Sequence, residues 1–483
     1  MRWLQFSVFF VYLVYSKVQE NRDNLNIKNV TNTLNLTKIK MNVLQNSKVY
    51  SPNWQDLDTR PLPQWYDSAK IGIFVHWGVY SVPGCVSEWF WYYWRNGNRE
   101  IHDFLKYYRH GFTYEEFAQN LTANSFNPNK WAKLFAKSGA KYVVLTAKHH
   151  DGFTLFPSGR PGNWNSVDIG PKIDVVKALS EAVRSHKLKF GIYYSLLEWN
   201  NTLFLSDIKS HNTTNATTNY IEDVLWPDIK LLINTYTPSV LWADGDWDAN
   251  YSYWKSPELV AWLYNESPVK DEIVVNDRWG WGTNCQYGDF FNCKDRFNPR
   301  TLFPHKWENA FTIDKLSWGF RRNMKSSEVL SFEEILEYVV STVSCGGNAL
   351  INVGPTKDGA ILPVFQKRLL KLGKWLGING EAIYNTSPWH FQKDKLSNTD
   401  VWYTCKTERL QRSKLMAPIE SDTITSIYAI FLKWPVDDTL KLYCLTPYIV
   451  NENITIQLLM PDGIYFPVPV SNNNVNYCGR QPH

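Results

Sequence analysis

The segment KYVVLTAKHHDGF, residues 141–153, decides the fold, because in it an apolar strand ends at a cluster of polar side chains. Tyr142–Ala147 is apolar almost throughout, as expected of a strand that is buried on both faces. The run Lys148-His149-His150-Asp151 follows it directly. A strand covered on both faces predicts a parallel sheet that lies between layers of helices.

Short apolar runs of this kind recur along the chain, and amphipathic segments separate them. The predicted strands are Ile71–His76, Tyr142–Ala147, Phe190–Tyr194, Val240–Trp242, Ile273–Val275 and Asn348–Val353. The predicted helices between them include 174–189, 221–236, one that opens with the capping box Ser331-Phe-Glu-Glu334, and one that opens at Pro363. Both a barrel and a doubly wound sheet satisfy this alternation.

The residues that follow the strands favour the barrel. Polar and aromatic side chains stand at the same end of strand after strand, as in His76-Trp77-Gly78, Tyr193-Tyr194-Ser195, Trp242-Ala243-Asp244 and Asn276-Asp277-Arg278-Trp279. A (β/α)8 active site is assembled from strand ends in this way. The sequence has no G-x-G-x-x-G or P-loop pattern that would support a doubly wound nucleotide-binding sheet. We therefore predict a (β/α)8 TIM-like barrel over residues 51–385.

A second domain is predicted over residues 386–483, where the helical pattern stops. Strand-like runs there are Val401–Cys405, Thr423–Phe431, Leu440–Leu445 and Asn453–Leu459, with turns between them. Consecutive short strands without intervening helices are typical of an antiparallel β-sandwich.

The N-terminus has the pattern of an export signal. Arg2 precedes the apolar run Trp3–Tyr15, which is too short for a membrane span, and cleavage is predicted near Ser16. Residues 17–50 are rich in Asn, Lys and Thr and are predicted to be a disordered, glycosylated leader. No other run is long and apolar enough to span a membrane. Ten N-x-S/T sequons support the secretory pathway, and hence a lysosomal or secreted protein; they start at Asn29, Asn35, Asn120, Asn200, Asn212, Asn215, Asn250, Asn265, Asn385 and Asn453.

Composition excludes some classes of function and leaves others open. The net charge of +5 is mild and no basic stripe is present, so nucleic-acid binding has no support. The 23 Trp and 27 Tyr suit a carbohydrate site or a ring-rich core equally well. Seven Cys leave at least one thiol without an intramolecular partner, and Cys285 and Cys293 are close enough to close a short loop. No Cys/His spacing resembles a zinc site.

Several long motifs in one order resemble glycoside hydrolase family 29, the α-L-fucosidases, and in particular the animal lysosomal or secreted type. The matching stretches are AKIGIFVHWG (69–78), SEWFWY (87–92), VVLTAKHHDGF (143–153), GIYYS (191–195), VLWADGDW (240–247), SPVKDEIVVNDRWG (267–280), HKWE (305–308) and GGNALINVGPTKDG (346–359). The resemblance runs from about Trp65 to about Pro467. The C-terminal NNNVNYCGRQPH departs from it, because the family normally has a further apolar strand there.

The resemblance implies a retaining hydrolase that removes terminal α-L-fucose from glycoproteins, glycolipids or oligosaccharides through a covalent fucosyl-enzyme. Such a reaction needs two carboxyl groups, one as nucleophile and one as acid/base. Asp244 matches the nucleophile by motif and directly follows a predicted strand. Asp246 is the neighbouring alternative and is predicted to face solvent or to support the loop. Asp295 matches the acid/base, with Glu308 as runner-up and Asp277 third.

The resemblance also carries over the sugar-binding residues. These are His76, Glu88, Trp89, His149, His150, Tyr193, Trp242 and Arg278. Arg278 is expected to keep Asp244 ionised, and Phe290 or Trp89 is expected to face the fucose methyl group. No cofactor or metal is predicted.

Two alternatives to the hydrolase remain open. One is a fucose-binding protein without activity, and the other is a metal-dependent hydrolase that uses His149, His150 and Asp244. Members of the family are often oligomeric, so a homo-oligomer stays open as well.

Overall fold

The computed structural model describes residues 10–15 (as backbone), 48–160, 162–210, 217–407, 414–416, 424–445, 454–459 and 464–467. The strands are β1 Phe10–Tyr15, β2 Ile71–Val75, β3 Tyr142–Lys148, β4 Lys189–Ser195, β5 Val240–Asp244, β6 Val274–Val275, β7 Trp307–Thr312, β8 Gly347–Val353, β9 Ser387–Asp394, β10 Val401–Thr407, β11 Ile424–Phe431, β12 Ile454–Leu459 and β13 Tyr465–Pro467. The α-helices are α1 Trp54–Leu57, α2 Gln64–Ala69, α3 Phe90–Arg95, α4 Arg99–Leu105, α5 Pro128–Lys137, α6 Val175–Ser185, α7 Thr202–Ser210, α8 Trp226–Tyr236, α9 Ser256–Asn265, α10 Phe332–Ser344 and α11 Pro363–Asn379.

The first sheet is the predicted parallel sheet. Its strand order is β6-β5-β4-β3-β2-β8-β7, and every pair of neighbours is parallel. Every residue of β2, β3, β5 and β8 is buried. Helices on one side and the barrel interior on the other side exclude water from both faces of the sheet.

The segment 289–291 closes this sheet into a barrel. Asp289 and Phe290 donate their backbone N–H groups to the carbonyl of Val275, at 2.9 and 3.3 Å. Phe291 donates to the carbonyl of Lys306 and accepts from the N–H of Glu308, both at 2.9 Å. The segment therefore joins β6 to β7 and takes the position of the eighth strand, which completes the predicted TIM-like barrel.

Alternation along the strands decides which side chains enter the barrel. Inward-facing rings and aliphatic groups form a separate cluster that includes Phe74, Tyr142, Tyr193, Trp242 and Phe290. Their strand neighbours, such as Ile73 and Val75, belong instead to the larger core between the strands and the helices. Successive side chains of a strand point to opposite faces, so this pattern places the rings of Tyr193 and Trp242 under the mouth of the barrel.

The predicted helices are present, with two differences in detail. The helix predicted over 221–236 begins with a π-helical turn, Ile221–Leu225, that leads into α8, and the one predicted over 174–189 ends at Ser185. The side chain of Ser331 caps α10 by accepting from the N–H of Glu334, and the carboxylate of Glu334 accepts from the N–H of Ser331. Asp174 caps α6 in the same way through the N–H of Lys177. A capping residue satisfies backbone donors that would otherwise lack partners at the first turn. α10 contacts β8 of the barrel and also β9 and β10, so it lies between the two sheets.

The second sheet is antiparallel, as predicted, with the order β13-β12-β1-β11-β10-β9. The predicted strand Leu440–Leu445 is wrong: the segment ends in a 3-10 turn, Tyr443–Leu445. The backbone N–H groups of Lys441 and Cys444 donate to the side chains of Asn398 and Asp394, and not to a neighbouring strand. Cys444 and Leu445 are buried against the inner face of the sheet, so the segment covers that face.

Part of the N-terminal apolar run forms a strand of the second sheet in the structure. Phe10–Tyr15, within the predicted export signal, pairs with both β11 and β12. Pairing and cleavage near Ser16 are mutually exclusive fates for this segment, and the first residue of the mature protein distinguishes them. The predicted leader lies outside the described residues, apart from residues 48–50. Within the described chain, no helix is long and apolar enough to span a membrane.

Candidate active site

A cavity of about 440 Å³ opens at the carboxyl ends of the barrel strands. It gathers ten of the predicted site residues: His76, Glu88, Trp89, His149, His150, Tyr193, Trp242, Asp244, Arg278 and Asp295. Glu308 and Asp277 are not among its lining residues. A second cavity of about 870 Å³ holds none of the ten, so cavity size alone does not identify the site.

One guanidinium group holds the two candidate catalytic carboxylates. Nη1 of Arg278 donates to Oδ1 of Asp244 at 3.0 Å, and its Nη2 donates to Oδ1 of Asp295 at 2.6 Å. Tyr193 donates its hydroxyl to the other oxygen of Asp244 at 2.7 Å. Asp244 is the last residue of β5 and is buried, whereas 49% of the Asp295 side chain is exposed. The two carboxylates therefore face one pocket from different depths.

Their surroundings shift the two acids in opposite directions. Burial raises the pKa of Asp244, and the charge of Asp295 adds to this effect, although Arg278 opposes it. Burial also acts on Asp295, but the charge and hydrogen bond of Arg278 outweigh it and hold the pKa of Asp295 below its usual value. The charge of Arg278 thus favours ionisation of both groups, but at Asp244 burial outweighs it, so Arg278 only partly has the effect expected of it.

The three histidines are neutral. Burial lowers the pKa of His76 to about 4, and burial together with Lys148 lowers the pKa of His150 to about 3. Burial also places the pKa of His149 well below its usual value. A neutral imidazole offers one donor and one acceptor, which suits a sugar hydroxyl. The histidines can therefore hydrogen-bond sugar hydroxyl groups without adding charge to the pocket.

Hydrogen bonds set the tautomers of two of these rings. Nδ1 of His76 lies 2.7 Å from Oδ1 of Asn352, which can only accept, because Nδ2 of Asn352 donates to Thr312 and Trp318. Nδ1 of His150 lies 2.6 Å from the hydroxyl oxygen of Ser195, whose proton is directed at the carbonyl of Leu197. Each Nδ1 therefore donates, and each Nε2 is left as an acceptor.

One contact in this pocket calls for a hydroxyl-bearing ligand. Nε2 of His150 and Oδ2 of Asp244 lie 3.6 Å apart, and with this tautomer both are acceptors that need a donor between them. Nδ1 of His149 is buried and has no hydrogen-bond partner among the described residues. Buried polar atoms are rarely left unpaired in native proteins. A sugar hydroxyl group between His150 and Asp244 would donate to one of these two acceptors, whereas Nδ1 of His149 is too deeply buried for a ligand in the pocket to reach.

Glu88 has a fixed position under the loop that follows β7. Its Oε2 accepts from the hydroxyl of Ser317 and from the N–H groups of Trp318 and Gly319, at 2.9–3.1 Å. Burial raises the pKa of Glu88 in spite of these bonds. The Trp318 ring lies 5.2 Å from the His76 ring, so Glu88 also places part of the pocket wall.

Three sequence-based expectations change. Asp246 does not face solvent: it is buried, lines the pocket, and burial raises its pKa to about 6. Phe290 is not a pocket wall, because its ring stacks on Tyr66 in the barrel interior at 4.7 Å. Asp277 is an anchor for the following loop, since its carboxylate accepts backbone N–H groups of Cys285, Asn292 and Cys293.

The possible metal ligands do not support a centre built on the histidines. Among the described residues, the His, Cys, Asp or Glu groups whose donor atoms converge are Asp277, Cys285 and Cys293. The two cysteines form a disulfide, which their closeness in sequence allows. His149, His150 and Asp244 form no such group in the described chain.

A sequence model of the family described as Alpha-L-fucosidase matches residues 37–381. That span includes every residue that lines the pocket. The chain belongs to the α-L-fucosidase family. It is therefore a glycoside hydrolase that acts on fucosylated substrates.

Relatives of this fucosidase cover most of its length. Human tissue α-L-fucosidase is 48% identical over 400 residues, covering 82% of this chain and 81% of the relative. Rat plasma α-L-fucosidase is 51% identical over 396 residues, covering 81% and 82%. The solved structure of a Thermotoga maritima α-fucosidase in complex with fucose has a TM-score of 0.62 at 32% identity, and the match covers 79% of this chain and all of that one.

The fucosidase pocket also contains residues that the sequence did not single out. They are Phe74, Trp247, Asn284, Cys293, Lys294 and Trp318. Phe74 and Trp247 lie inside quoted motifs, so strand alternation and proximity to Asp244 could have found them. Lys294 adjoins Asp295 and could have been found in the same way. Trp318 follows β7 at a distance in sequence from every motif, and no local signal marks it.

Glu308 lies beneath the pocket of the fucosidase, on β7. Its Oε2 accepts from the hydroxyl groups of Tyr66 and Tyr142 at 2.8 and 2.6 Å, and its Oε1 accepts from Nε1 of Trp242 at 2.9 Å. Burial raises the pKa of Glu308. With its oxygens directed at these donors in the barrel interior, Glu308 supports Trp242 from below and does not reach the pocket.

Glu308→Gln is therefore expected to destabilise the fold without changing the pH dependence of hydrolysis. The amide group brings two N–H donors to a site where four donors already point at the carboxylate, from Tyr66, Tyr142, Trp242 and Asn292, and this mismatch costs about 1–3 kcal/mol of unfolding free energy. Urea unfolding and a pH profile of kcat/KM measure the two effects. Loss of the alkaline limb of that profile in a folded variant would instead make Glu308 the acid/base.

Proposed function

We propose that this fucosidase removes terminal α-L-fucose with retention of configuration, by double displacement through a covalent fucosyl-enzyme. The observation that carries the proposal is the pair of carboxylates, Asp244 and Asp295, held by Arg278 in one pocket. A retaining glycosidase needs two such groups about 5–5.5 Å apart, one on each side of the anomeric carbon. The substrates are fucosylated glycoproteins, glycolipids or oligosaccharides.

In the first step, a carboxylate oxygen of Asp244 attacks the anomeric carbon as the bond to the leaving oxygen breaks. Asp295 donates its proton to that oxygen, so the aglycone leaves as a neutral alcohol. In the second step, Asp295 accepts a proton from water, whose oxygen attacks the same carbon and releases Asp244. Two inversions at one carbon return the α configuration of the substrate.

The pKa values of the two acids indicate how the proton reaches its place. In the free enzyme burial raises the pKa of Asp244, whereas Arg278 lowers that of Asp295, so these shifts by themselves do not favour the proton on Asp295. The reacting form has the proton on Asp295, and the pair titrates as a unit. A sugar hydroxyl placed between His150 and Asp244 would donate to Asp244, favour its ionised form, and so favour the proton on Asp295.

The anomer of fucose that appears first tests this mechanism. Proton NMR during hydrolysis of p-nitrophenyl α-L-fucoside, recorded before mutarotation, is expected to detect α-L-fucose as the initial product. Initial β-L-fucose would establish inversion and exclude the covalent intermediate. If the folded protein binds fucose but does not hydrolyse the fucoside, it is a fucose-binding protein without activity. If a chelator abolishes the activity, the hydrolase is metal-dependent.

For location, we propose the secretory pathway, with delivery to the lysosome or outside the cell. The apolar N-terminal run and the ten sequons support export. The side chain of Asn265 is an exception among the sequons, because it exchanges two hydrogen bonds with the backbone of Tyr50 at 2.8 and 2.9 Å. N-terminal sequencing of secreted protein is expected to begin after Ser16; an intact Met1 in secreted protein would favour retention of β1.

A further inference from the structure

The position of the acid/base fixes the side on which the rest of the substrate lies. Asp295 must contact the glycosidic oxygen, so the sugar next to fucose has to lie beside Asp295. This step rests on the proposed function, and specifically on Asp295 as the proton donor. The residues that flank Asp295 in space are therefore the first that the aglycone meets.

Two cations flank Asp295 in the chain. Lys294 and Arg296 are both exposed, and Lys294 lines the catalytic pocket. Within the described residues neither has a carboxylate oxygen within 4.0 Å. The guanidinium of Arg296 instead lies over the ring of Trp318, 5.2 Å from its centroid. Both positive charges are thus available to a ligand.

The loop that carries these cations is anchored on both sides. A disulfide joins Cys285 to Cys293, and Asp277 accepts the N–H groups of both cysteines at 2.8 and 3.0 Å. On the other side, the N–H of Arg296 donates to the carbonyl of Ala310 on β7 at 3.1 Å. Only Lys294 and Asp295 lie between these anchors, so the two charges are held close to the pocket mouth.

Aromatic rings at the same mouth supply a surface for a sugar ring. Trp247 lines the pocket and is 37% exposed, and Trp281 is 54% exposed. Nε1 of Trp281 donates to the carbonyl of Trp247 at 2.5 Å, which ties the two residues together. Exposed indole rings bury large apolar area against a partner while their N–H groups stay paired. The pocket also holds the carboxyl groups of Glu88, Asp244, Asp246 and Asp295. Arg278 pairs with Asp244 and Asp295, and Asp246 is buried, with its pKa raised by burial to about 6.

We propose that the fucosidase prefers substrates in which the sugar next to fucose carries an anionic group, a sulfate or a carboxylate, and that Lys294 and Arg296 attract this group. An exposed ion pair of this kind changes affinity about two- to fivefold, and the effect weakens as salt is added. We therefore expect kcat/KM for the anionic substrate to exceed that for its neutral counterpart by about this factor at low salt.

The test is the ratio of kcat/KM for an anionic and a neutral substrate, because a general loss of activity cancels in the ratio. The substrates are a fucosylated trisaccharide and the same trisaccharide bearing either a sulfate or a sialic acid on the sugar next to fucose. Lys294→Gln is expected to lower the ratio and Lys294→Glu to bring it below one. Lys133→Gln, on the exposed surface of α5, removes the same charge far from the loop and is expected to leave the ratio unchanged.

The outcomes separate this inference from the proposed function. A wild-type ratio of one or less at low salt, or a ratio that Lys294→Glu leaves unchanged, overturns the preference. A preference for the sulfated substrate alone assigns the site to sulfate, and a preference for both assigns it to anions in general. Failure of the wild type to hydrolyse the neutral trisaccharide and p-nitrophenyl fucoside alike would refute the hydrolytic mechanism itself.

Discussion

Asp244→Ala is expected to lower kcat for p-nitrophenyl α-L-fucoside by about 10⁴-fold or more, the scale seen when one member of a catalytic unit is removed. The reason is that the proposed covalent intermediate forms on the carboxylate at the end of β5, which this variant lacks. Tyr193 and Arg278 are buried and each loses an acceptor, so the unfolding free energy should fall by about 1–3 kcal/mol for each group left unpaired. Thermal unfolding and steady-state kinetics measure the two effects.

Azide provides the sharper measurement for this variant. The alanine leaves space for a small anion at the position of the lost carboxylate, and azide can attack the anomeric carbon from that side. Activity on the activated fucoside should return, and the product should be β-L-fucosyl azide, one inversion away from the substrate. Rescue without that product, or no rescue at any azide concentration, would argue against Asp244 as the nucleophile.

Asp246→Ala is the matched control, because Asp246 is a buried carboxylate in the same pocket and two residues away in sequence. Its charge also interacts with Arg278. We expect a much smaller loss of kcat and no azide rescue, since no reacting carbon lies against it. Equal losses in the two variants would mean that pocket charge, and not a nucleophile, had been removed.

The barrel could be predicted because its signal is repeated. Six of the seven strands of the parallel sheet carry an apolar run, and several end in polar residues, as at His76, His149 and Asp244. The seventh, β7, is buried but has Glu308 and Asn309 at its centre, and for this reason the apolar pattern missed it. The closing segment 289–291 could not be predicted in this way. It has two backbone partners, Val275 and Lys306, but no apolar run of its own. Its place depends on a loop whose path is set by the Asp277 carboxylate and the disulfide.

The residues of the pocket could be predicted from strand ends and from the resemblance, but the depth at which each side chain lies could not. Asp246 was expected to face solvent or to support the loop, and Glu308 was the second candidate for the acid/base; the structure places each at a different depth from the one expected. Asp246 follows a strand and precedes a tryptophan, and only the packed loop determines that it turns inward. Glu308 is on a strand whose alternation places it in the barrel interior among tyrosines that are distant in sequence. Burial by distant residues is a property of the fold that no local motif encodes.

The N-terminal run marks another limit of the sequence. An apolar segment of this length suits a cleaved signal and also suits a strand, because both require uninterrupted apolar side chains. In the structure the backbone of Phe10–Tyr15 lies between β11 and β12. Which fate prevails is decided by when the segment is cleaved relative to folding, and composition contains no information on that order.

Asp295→Ala is expected to have an effect that depends on the leaving group. General acid catalysis contributes about 10²–10⁴-fold. An oligosaccharide alcohol needs that proton, so its kcat/KM should fall by about that factor. p-Nitrophenolate leaves without a proton, so kcat/KM for p-nitrophenyl fucoside should fall by about tenfold at most. Parallel kinetics on a fucosylated trisaccharide and on p-nitrophenyl fucoside measure the difference. Equal losses on both substrates would contradict the role of Asp295 as the proton donor.

Azide distinguishes this variant from Asp244→Ala by the anomer it produces. With Asp295 removed, the fucosyl-enzyme still forms on Asp244, but no base activates water to hydrolyse it. Azide needs no base, so it should accelerate turnover and yield α-L-fucosyl azide, two inversions from the substrate. The pH profile supplies a second criterion: loss of the acid/base should remove the alkaline limb, which reports deprotonation of the proton donor. Glu308→Gln should retain that limb and show no azide effect. If the limb instead survives in Asp295→Ala and disappears in Glu308→Gln, the proton donor is the buried glutamate, and the barrel interior must open during catalysis.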